Sequence, residues 1–192
     1  YQNKDAWTWE HMALTRLRPV AGDEALSHQI MTIACEAIVS RAAKDDGTIA
    51  RDVSDMRQRL YREKPGKGLW DLKTAEGGLV DAEFVVQQDM LLSGKPEAIR
   101  ANTREAIAHS TLPDAERSML IEGVTFLQSL QQVHRLALGS DVQAGVMPEG
   151  LKDRLCRSVG VDSFAALEAE ISSLKSRVHA LCAEKLHLPA TD

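Results

Sequence analysis

Proline and glycine fall mainly between segments of helical periodicity, and this placement constrains the fold more than any other feature of the sequence. The last segment shows the periodicity best, because its apolar residues alternate gaps of three and four. Such spacing puts them on one face of an α-helix. No stretch alternates with a period of two while being rich in Val, Ile and Thr, as a half-buried strand would be. The sequence therefore predicts an all-α fold with seven or eight helices.

The predicted helices differ in how much of their surface they bury. The helix over residues 79–93 is apolar nearly all round, so we expect it at the centre of a bundle. The helix that begins after Asp23 carries its apolar face on Leu26, Ile30, Ile33 and Ala37. The other predicted helices cover residues 2–17, 48–64, from Pro96, 113–138, 149–158 and the segment capped by Asp162.

The seam of the last helix allows two interpretations. Its members are Phe164, Leu167, Ile171, Leu174, Val178 and Leu181. A two-in-seven seam of this kind is typical of a coiled-coil dimer arm. It is equally typical of a helix packed inside its own bundle. Because the seam is shorter than three heptads and the chain is helical throughout, we favour packing within the bundle.

Composition excludes several classes of protein. The 192 residues carry a formal net charge of -5, which argues against non-specific nucleic-acid binding. No apolar run approaches the ~20 residues needed to span a bilayer, so no membrane association is expected. Three cysteines without a CxxC motif indicate reduced thiols, and no signal peptide is visible, so we expect a cytoplasmic protein. The histidines lack metal-ligand spacing, and we predict no metal site.

The segment over residues 69–88 is the richest in candidate functional groups. Gly77 and Gly78 bring bare backbone to the start of a helix, where free N–H groups and the positive end of the helix dipole suit a phosphate. Lys73 lies close enough in sequence to add a positive charge. It belongs to a predicted short extended piece in which Asp71 and Lys73 flank Leu72. In the alternative interpretation the two glycines only let two backbones pack closely, and the first-turn acids are favoured by the dipole alone.

Two further features lie upstream of that segment. Residues 51–73 hold seven Lys or Arg against four acids, a net charge of +3. Such a segment could face a nucleotide or an acidic protein, although a solvated face is the default. Trp7 and Trp9 point about 200 degrees apart on a helix, so one of them could pack against a domain that this chain lacks.

Three blocks of sequence together resemble one known family. They are YQNKDAWTWEHMALTRLRPVAGD at residues 1–23, VSDMRQRL at residues 53–60 and WDLKTAEGGLVDAEFVVQ at residues 70–87. Their order and spacing are similar to the C-terminal half of the bifunctional glutamine synthetase adenylyltransferase/adenylyl-removing enzymes. The first and last blocks are closer to the adenylylating half of that family than to the adenylyl-removing half.

The resemblance implies an activity, partners and a domain organisation. The parent enzyme would transfer AMP from ATP, with Mg²⁺, to a tyrosine of glutamine synthetase, under control by the PII signal protein and glutamine. Residues 1–42 would be the last helices of a nucleotidyltransferase domain. Residues 43–192 would form a helical bundle similar to that of PII uridylyltransferases.

The resemblance also implies what this chain lacks. The family's metal-binding carboxylates precede the first block, and the chain begins at Tyr1, so we expect a piece of a longer protein that is inactive alone, with no catalytic residue and no tightly bound cofactor. Lys73, Gly77 and Gly78 match the family block and are the best candidates to line the nucleotide cleft. Asp81 and Glu83 match it too, but they are not expected to ligate metal. Two alternatives remain: the chain is a non-catalytic docking module for glutamine synthetase or PII, or it belongs to the adenylyl-removing half.

Overall fold

A computed structural model describes residues 6–138 and 147–188 and shows only helices and turns in these two ranges. The predicted all-α fold and the number of helices are therefore confirmed. The helices are α1 (Thr8–Leu14), α2 (Glu24–Ala43), α3 (Thr48–Glu63), α4 (Leu79–Ser93), α5 (Thr103–Ala108), α6 (Asp114–Leu138), α7 (Glu149–Val159) and α8 (Phe164–Lys185), with a 3-10 turn at Pro96–Ala98.

Helix α4 lies at the centre of the bundle, as its nearly continuous apolar sequence predicts. It contacts α1, α2, α3, α5, α6 and α8. Residues on all sides of it are buried, from Leu79 and Phe84 to Met90 and Leu91. A helix that is apolar all round can be stable only in this position, since any exposed face would place apolar area in water.

Helix α8 packs its seam into its own bundle. Leu167, Ile171, Leu174, Val178 and Leu181 are all buried against the core. The seam faces α4, α6 and α7, which α8 contacts along its length. The preferred interpretation of the seam is thus confirmed, and this face is not free to form a coiled-coil dimer.

Three predicted helix boundaries were wrong, each for a local reason. Of the predicted helix 2–17, residues 2–5 lie outside the described residues, and the rest is helical only over Thr8–Leu14. The helix starts at Thr8 because the Glu10 carboxylate accepts the Trp7 amide at 2.8 Å and caps the helix there. At Pro96 the chain forms only the 3-10 turn, and Asn102 caps α5 instead. Ser163, not Asp162, caps α8, since its hydroxyl accepts the Ala166 amide.

The predicted apolar face of α2 is only partly buried. Ala37 and Ile38 lie in the core, but the residues Leu26, Ile30 and Ile33 are 55%, 46% and 63% exposed. An apolar groove of about 670 Å³ runs beside this helix, with a lining that includes Leu14, Met31, Cys35, Ile38, Pro96 and Ile99. The two tryptophans before it, Trp7 and Trp9, are also exposed.

The three cysteines are unpaired, and two of them, Cys156 and Cys182, are buried. In the described ranges, no helix has the length and apolarity that crossing a membrane requires.

Candidate functional site

Asp71 organises the loop of residues 64–78, called here the α3–α4 loop. Its carboxylate accepts the backbone amides of Lys67, Lys73 and Thr74 at 3.3, 3.1 and 2.8 Å, and the Thr74 hydroxyl at 2.6 Å. Burial alone would raise the pKa of Asp71, but these donors favour the charged form and lower it. The expected extended piece around Leu72 is wrong: residues 72–74 form turns around this carboxylate.

Lys175 of α8 holds the same loop from inside. Its ammonium group is buried and donates to the carbonyl oxygens of Leu69 at 3.3 Å and Asp71 at 3.1 Å. Burial lowers the pKa of Lys175, although the charges of Asp71, Asp81 and Glu76 oppose this shift. The loop backbone therefore replaces the water that a lysine normally requires.

Asp81, in the first turn of α4, is fully buried in an ion pair with Arg57 of α3. The Arg57 Nε and Nη2 atoms lie 2.6 and 2.5 Å from the Asp81 Oδ1 atom. The Tyr61 hydroxyl donates to this carboxylate at 2.9 Å, and the Gly77 amide donates at 2.6 Å. The solvated face that the charge pattern predicts for residues 51–73 is wrong at Arg57, because its side chain is 1% exposed.

His179 of α8 connects this ion pair to solvent. Its Nδ1 atom lies 3.7 Å from the Asp81 Oδ2 atom and 3.4 Å from the Tyr61 hydroxyl, and its side chain is 24% exposed. The nearby Asp81 carboxylate raises the pKa of His179 against the opposing effect of burial. Burial alone would raise the pKa of Asp81, but His179, the Arg57 charge and the Gly77 amide lower it. Burial, together with the Asp81 charge, raises the pKa of Tyr61, so its phenol stays protonated and remains a donor.

The two glycines serve close backbone packing. Gly77 has a φ of +72°, and a Cβ atom there would lie 1.9 Å from the Lys175 carbonyl oxygen. A Cβ atom on Gly78 would lie 2.7 Å from the Lys73 carbonyl oxygen. This is the packing role that the sequence allowed as the alternative. Phosphate contact at the two glycines stays a prediction.

The structure brings some of the five candidate residues together and separates others. Gly77 and Asp81 are hydrogen-bonded, and the Lys73 carbonyl accepts the Val80 amide at 3.0 Å. The Lys73 side chain points to solvent. Glu83 lies apart from this cluster, in a partly exposed ion pair with Arg16 at 2.9 Å.

Sequence reasoning missed Arg57, Tyr61 and His179 as members of the site. One signal was available, since Arg57 interrupts the apolar positions 49 and 53 at a spacing of four. A charged residue on the buried stripe of a helix requires a partner of opposite charge in the core. No comparable signal marks His179, which reaches Tyr61 across 118 residues of chain.

The carboxylates of this site do not fit a Mg²⁺ ion. Mg²⁺ requires accessible oxygen ligands in near-octahedral geometry and usually keeps several waters. The Asp81 oxygens are buried and already accept from Arg57, Tyr61 and Gly77. Within residues 6–138 and 147–188, no three His, Cys, Asp or Glu side chains form a group that could hold a metal ion.

Comparison with known proteins finds one matching family model and several similar curated proteins. Residues 49–186 match the family model described as GlnD PII-uridylyltransferase. The chain is 36% identical over 184 residues to a bifunctional glutamine synthetase adenylyltransferase/adenylyl-removing enzyme of Bradyrhizobium sp. (strain BTAi1). That alignment covers 93% of this chain and 18% of the relative.

Two further relatives bear the same name. The one from Brucella suis is 37% identical over 175 residues, which are 89% of this chain and 18% of the relative. The one from Rhizobium meliloti is 33% identical over 185 residues, which are 93% of this chain and 19% of the relative. The chain thus spans about a fifth of the length of the curated relatives that it matches.

Proposed function

Because this chain belongs to the GlnD PII-uridylyltransferase family, we propose that it is the helical part of an enzyme that transfers AMP from ATP to a tyrosine of glutamine synthetase. The observation that carries the proposal is the similarity, over 93% of the chain, to bifunctional enzymes named for that activity. In the proposed reaction the tyrosine hydroxyl attacks the α-phosphate in line and pyrophosphate leaves. The PII signal protein and glutamine are the proposed regulators, and the cytoplasm is the proposed location.

Within that enzyme we propose a boundary near residue 42. The family model matches from residue 49, so α1 and α2 lie outside the matched unit. Helix α2 exposes Leu26, Ile30 and Ile33, whose clustering is typical of a surface that another unit covers. These facts support assigning residues 1–42 to a nucleotidyltransferase domain and residues 43–192 to the helical bundle.

The residues of this chain would support the reaction without carrying its chemistry. Asp81 and Asp71 hold the α3–α4 loop in one conformation, and Lys73 projects from its outer side. ATP and Mg²⁺ would supply the reactive phosphate and its charge neutralisation, but the misfit of Mg²⁺ at Asp81 supports placing the metal outside this chain. We therefore expect the chain alone to be inactive, and we assign it to the adenylylating half.

An AMP-transfer assay tests this proposal. The chain, and separately a longer enzyme that contains it, are incubated with ATP, Mg²⁺ and glutamine synthetase, and the synthetase is weighed by intact mass spectrometry. We expect an adenylyl adduct only with the longer enzyme. In its Lys73→Ala variant, a raised KM for ATP would support the nucleotide-cleft role of Lys73, whereas a raised KM for glutamine synthetase alone would support a role in partner docking. Lys95→Ala, at an exposed lysine remote from the loop, is the matched control. An adduct made by the chain alone would refute the expected inactivity. A longer enzyme that forms no adduct on glutamine synthetase would refute the proposed activity.

A further inference from the structure

Four exposed cationic side chains at the end of α3 and in the α3–α4 loop have no anionic partner among the described residues. They are Arg62, Lys64, Lys67 and Lys73, called here the basic rim. All four residues are exposed, and within the described residues their side chains take part in no ion pair. This concentration of unpaired positive charge contrasts with the net charge of -5 of the whole chain.

The fold itself brings members of the basic rim together. The amides of Lys67 and Lys73 both donate to the carboxylate of Asp71, so the two backbones meet at one side chain. A Cβ atom on Gly66 would lie 2.2 Å from the Cβ atom of Ala75, so the two halves of the loop are in direct contact. Like charges carried on one short loop repel each other, and a partner of opposite charge would offset that cost.

The acidic residues nearest the basic rim are engaged in other contacts. Glu63 pairs with Arg59 at 2.6 Å, and Asp71 accepts four donors of its own loop. The buried Lys175 ammonium donates to two carbonyl oxygens behind the loop and is not part of the basic rim. Of the acids in and beside the loop, Glu76 alone is exposed and takes part in no ion pair, so the loop keeps an excess of positive charge at its surface.

We propose that the basic rim docks an acidic segment of a partner protein. This inference rests on the proposed function, in which a protein is the substrate, and it adds the surface and the chemistry of recognition. A nucleotide would need a concave site. Three cavities stand out in the described residues, and all lie away from the loop. The first is lined by α1, α2 and Pro96–Ile99, the second by residues 19–31, and the third by α6 and α7. Several exposed charges on a loop that internal hydrogen bonds already order instead suit an acidic surface.

The first test uses the chain itself and a deca-glutamate peptide as probe. Amide chemical shifts are recorded by NMR during titration at two salt concentrations. We expect shifts at residues 62–76 and binding that weakens as salt rises, because exposed charges are screened within about 10 Å at 0.1 M salt. In Lys67→Glu/Lys73→Glu the affinity should fall about tenfold or more, since several exposed ion pairs are lost together.

The matched control is Lys95→Glu/Arg104→Glu, which reverses the same number of exposed charges elsewhere. It should bind the peptide within about twofold of the unaltered chain. If the peptide shifts no amides of residues 62–76, or if both double variants weaken binding equally, the proposal is overturned. A loop that responds to ATP and not to the peptide also overturns it, in favour of a nucleotide site.

A second test separates this inference from the proposed function. Both double variants are introduced into the longer enzyme, and the KM for glutamine synthetase is compared with the KM for ATP. The basic rim variant should raise only the KM for glutamine synthetase. An active enzyme whose KM for glutamine synthetase is unchanged by this variant would overturn docking while leaving the proposed function intact.

Discussion

The buried pair of Asp81 and Arg57 provides the sharpest test of how this site is built. Asp81→Ala removes the acceptor of three donors and leaves the Arg57 guanidinium buried without its counter-charge. Breaking a buried ion pair from one side costs about 3–5 kcal/mol of the free energy of unfolding. For a domain of this size each kcal/mol lowers the melting temperature by roughly 2–4 °C, so we expect a loss of about 6–20 °C.

Glu83→Ala is the matched control, because it removes a carboxylate one helical half-turn away. Its partner Arg16 has a side chain that is 51% exposed, and such partly solvated pairs contribute about 0–1 kcal/mol. Unfolding in urea, followed by far-UV circular dichroism, measures both variants. Sequence reasoning gave the two acids the same role, whereas the structure predicts that only one of them is essential to folding.

A double-mutant cycle identifies the cause of the loss. Arg57→Met alone should also destabilise the chain, because it strands the buried Asp81 carboxylate. The double variant Arg57→Met/Asp81→Ala should lose less than the sum of the two single losses, since neither charge is then left alone. The expected loss for Asp81→Ala is at least ~3 kcal/mol. If its free energy of unfolding differs from that of the unaltered chain by less than about 0.5 kcal/mol, the ion pair does not stabilise the fold as argued.

Three further predictions concern the packing and titration of the same region. Gly77→Ala should lower the free energy of unfolding by about 2–4 kcal/mol in urea, because it combines a positive φ with a clash against the Lys175 carbonyl; a neutral result would contradict the close approach. The Asp81 carboxylate raises the folded-state pKa of His179, so its stabilisation is complete below the unfolded pKa of about 6.5 and is lost as pH rises through the folded value. The stability advantage over His179→Gln should therefore shrink from about pH 6 to 8, and a constant advantage would contradict the coupling. Leu174→Ala should cost about 2–5 kcal/mol without changing the mass measured by light scattering, whereas a change of oligomeric state would show that the seam faces another chain.

The sequence was most informative where one helix face decides the structure. The bounds predicted for residues 79–93 agree with those of α4, because Gly78 and Gly94 flank a continuous apolar segment. The seam of α8 was likewise predictable, since its period reports a buried stripe directly. Boundaries set by one capping hydrogen bond, as at Ser163, were harder, because Asp162 is an equally good cap by residue type.

The site was less predictable than the fold because its partners come from three helices distant in sequence. Charge patterning placed Arg57 in water, since spacing alone does not reveal a buried carboxylate 24 residues later. Spacing alone also does not reveal the exposure of Leu26 and Ile33, although it correctly placed them on one face of a helix. Burial of these side chains depends on what covers them, and no described part of the chain buries Leu26 or Ile33.

The hydrogen bonds from Lys175 to the α3–α4 loop have a consequence for folding during synthesis. The loop carbonyls that bind its ammonium lie 104 and 106 residues earlier in the chain, and the Trp70 indole donates to Glu168 across 98 residues. A ribosome adding about 5–20 residues per second needs roughly 5–20 seconds to cover that separation. Until α8 has emerged, the loop has neither its internal cation nor the backbone that Gly77 packs against. The surface that we propose for partner docking would therefore be completed last, so a nascent chain would not present it before its core can close.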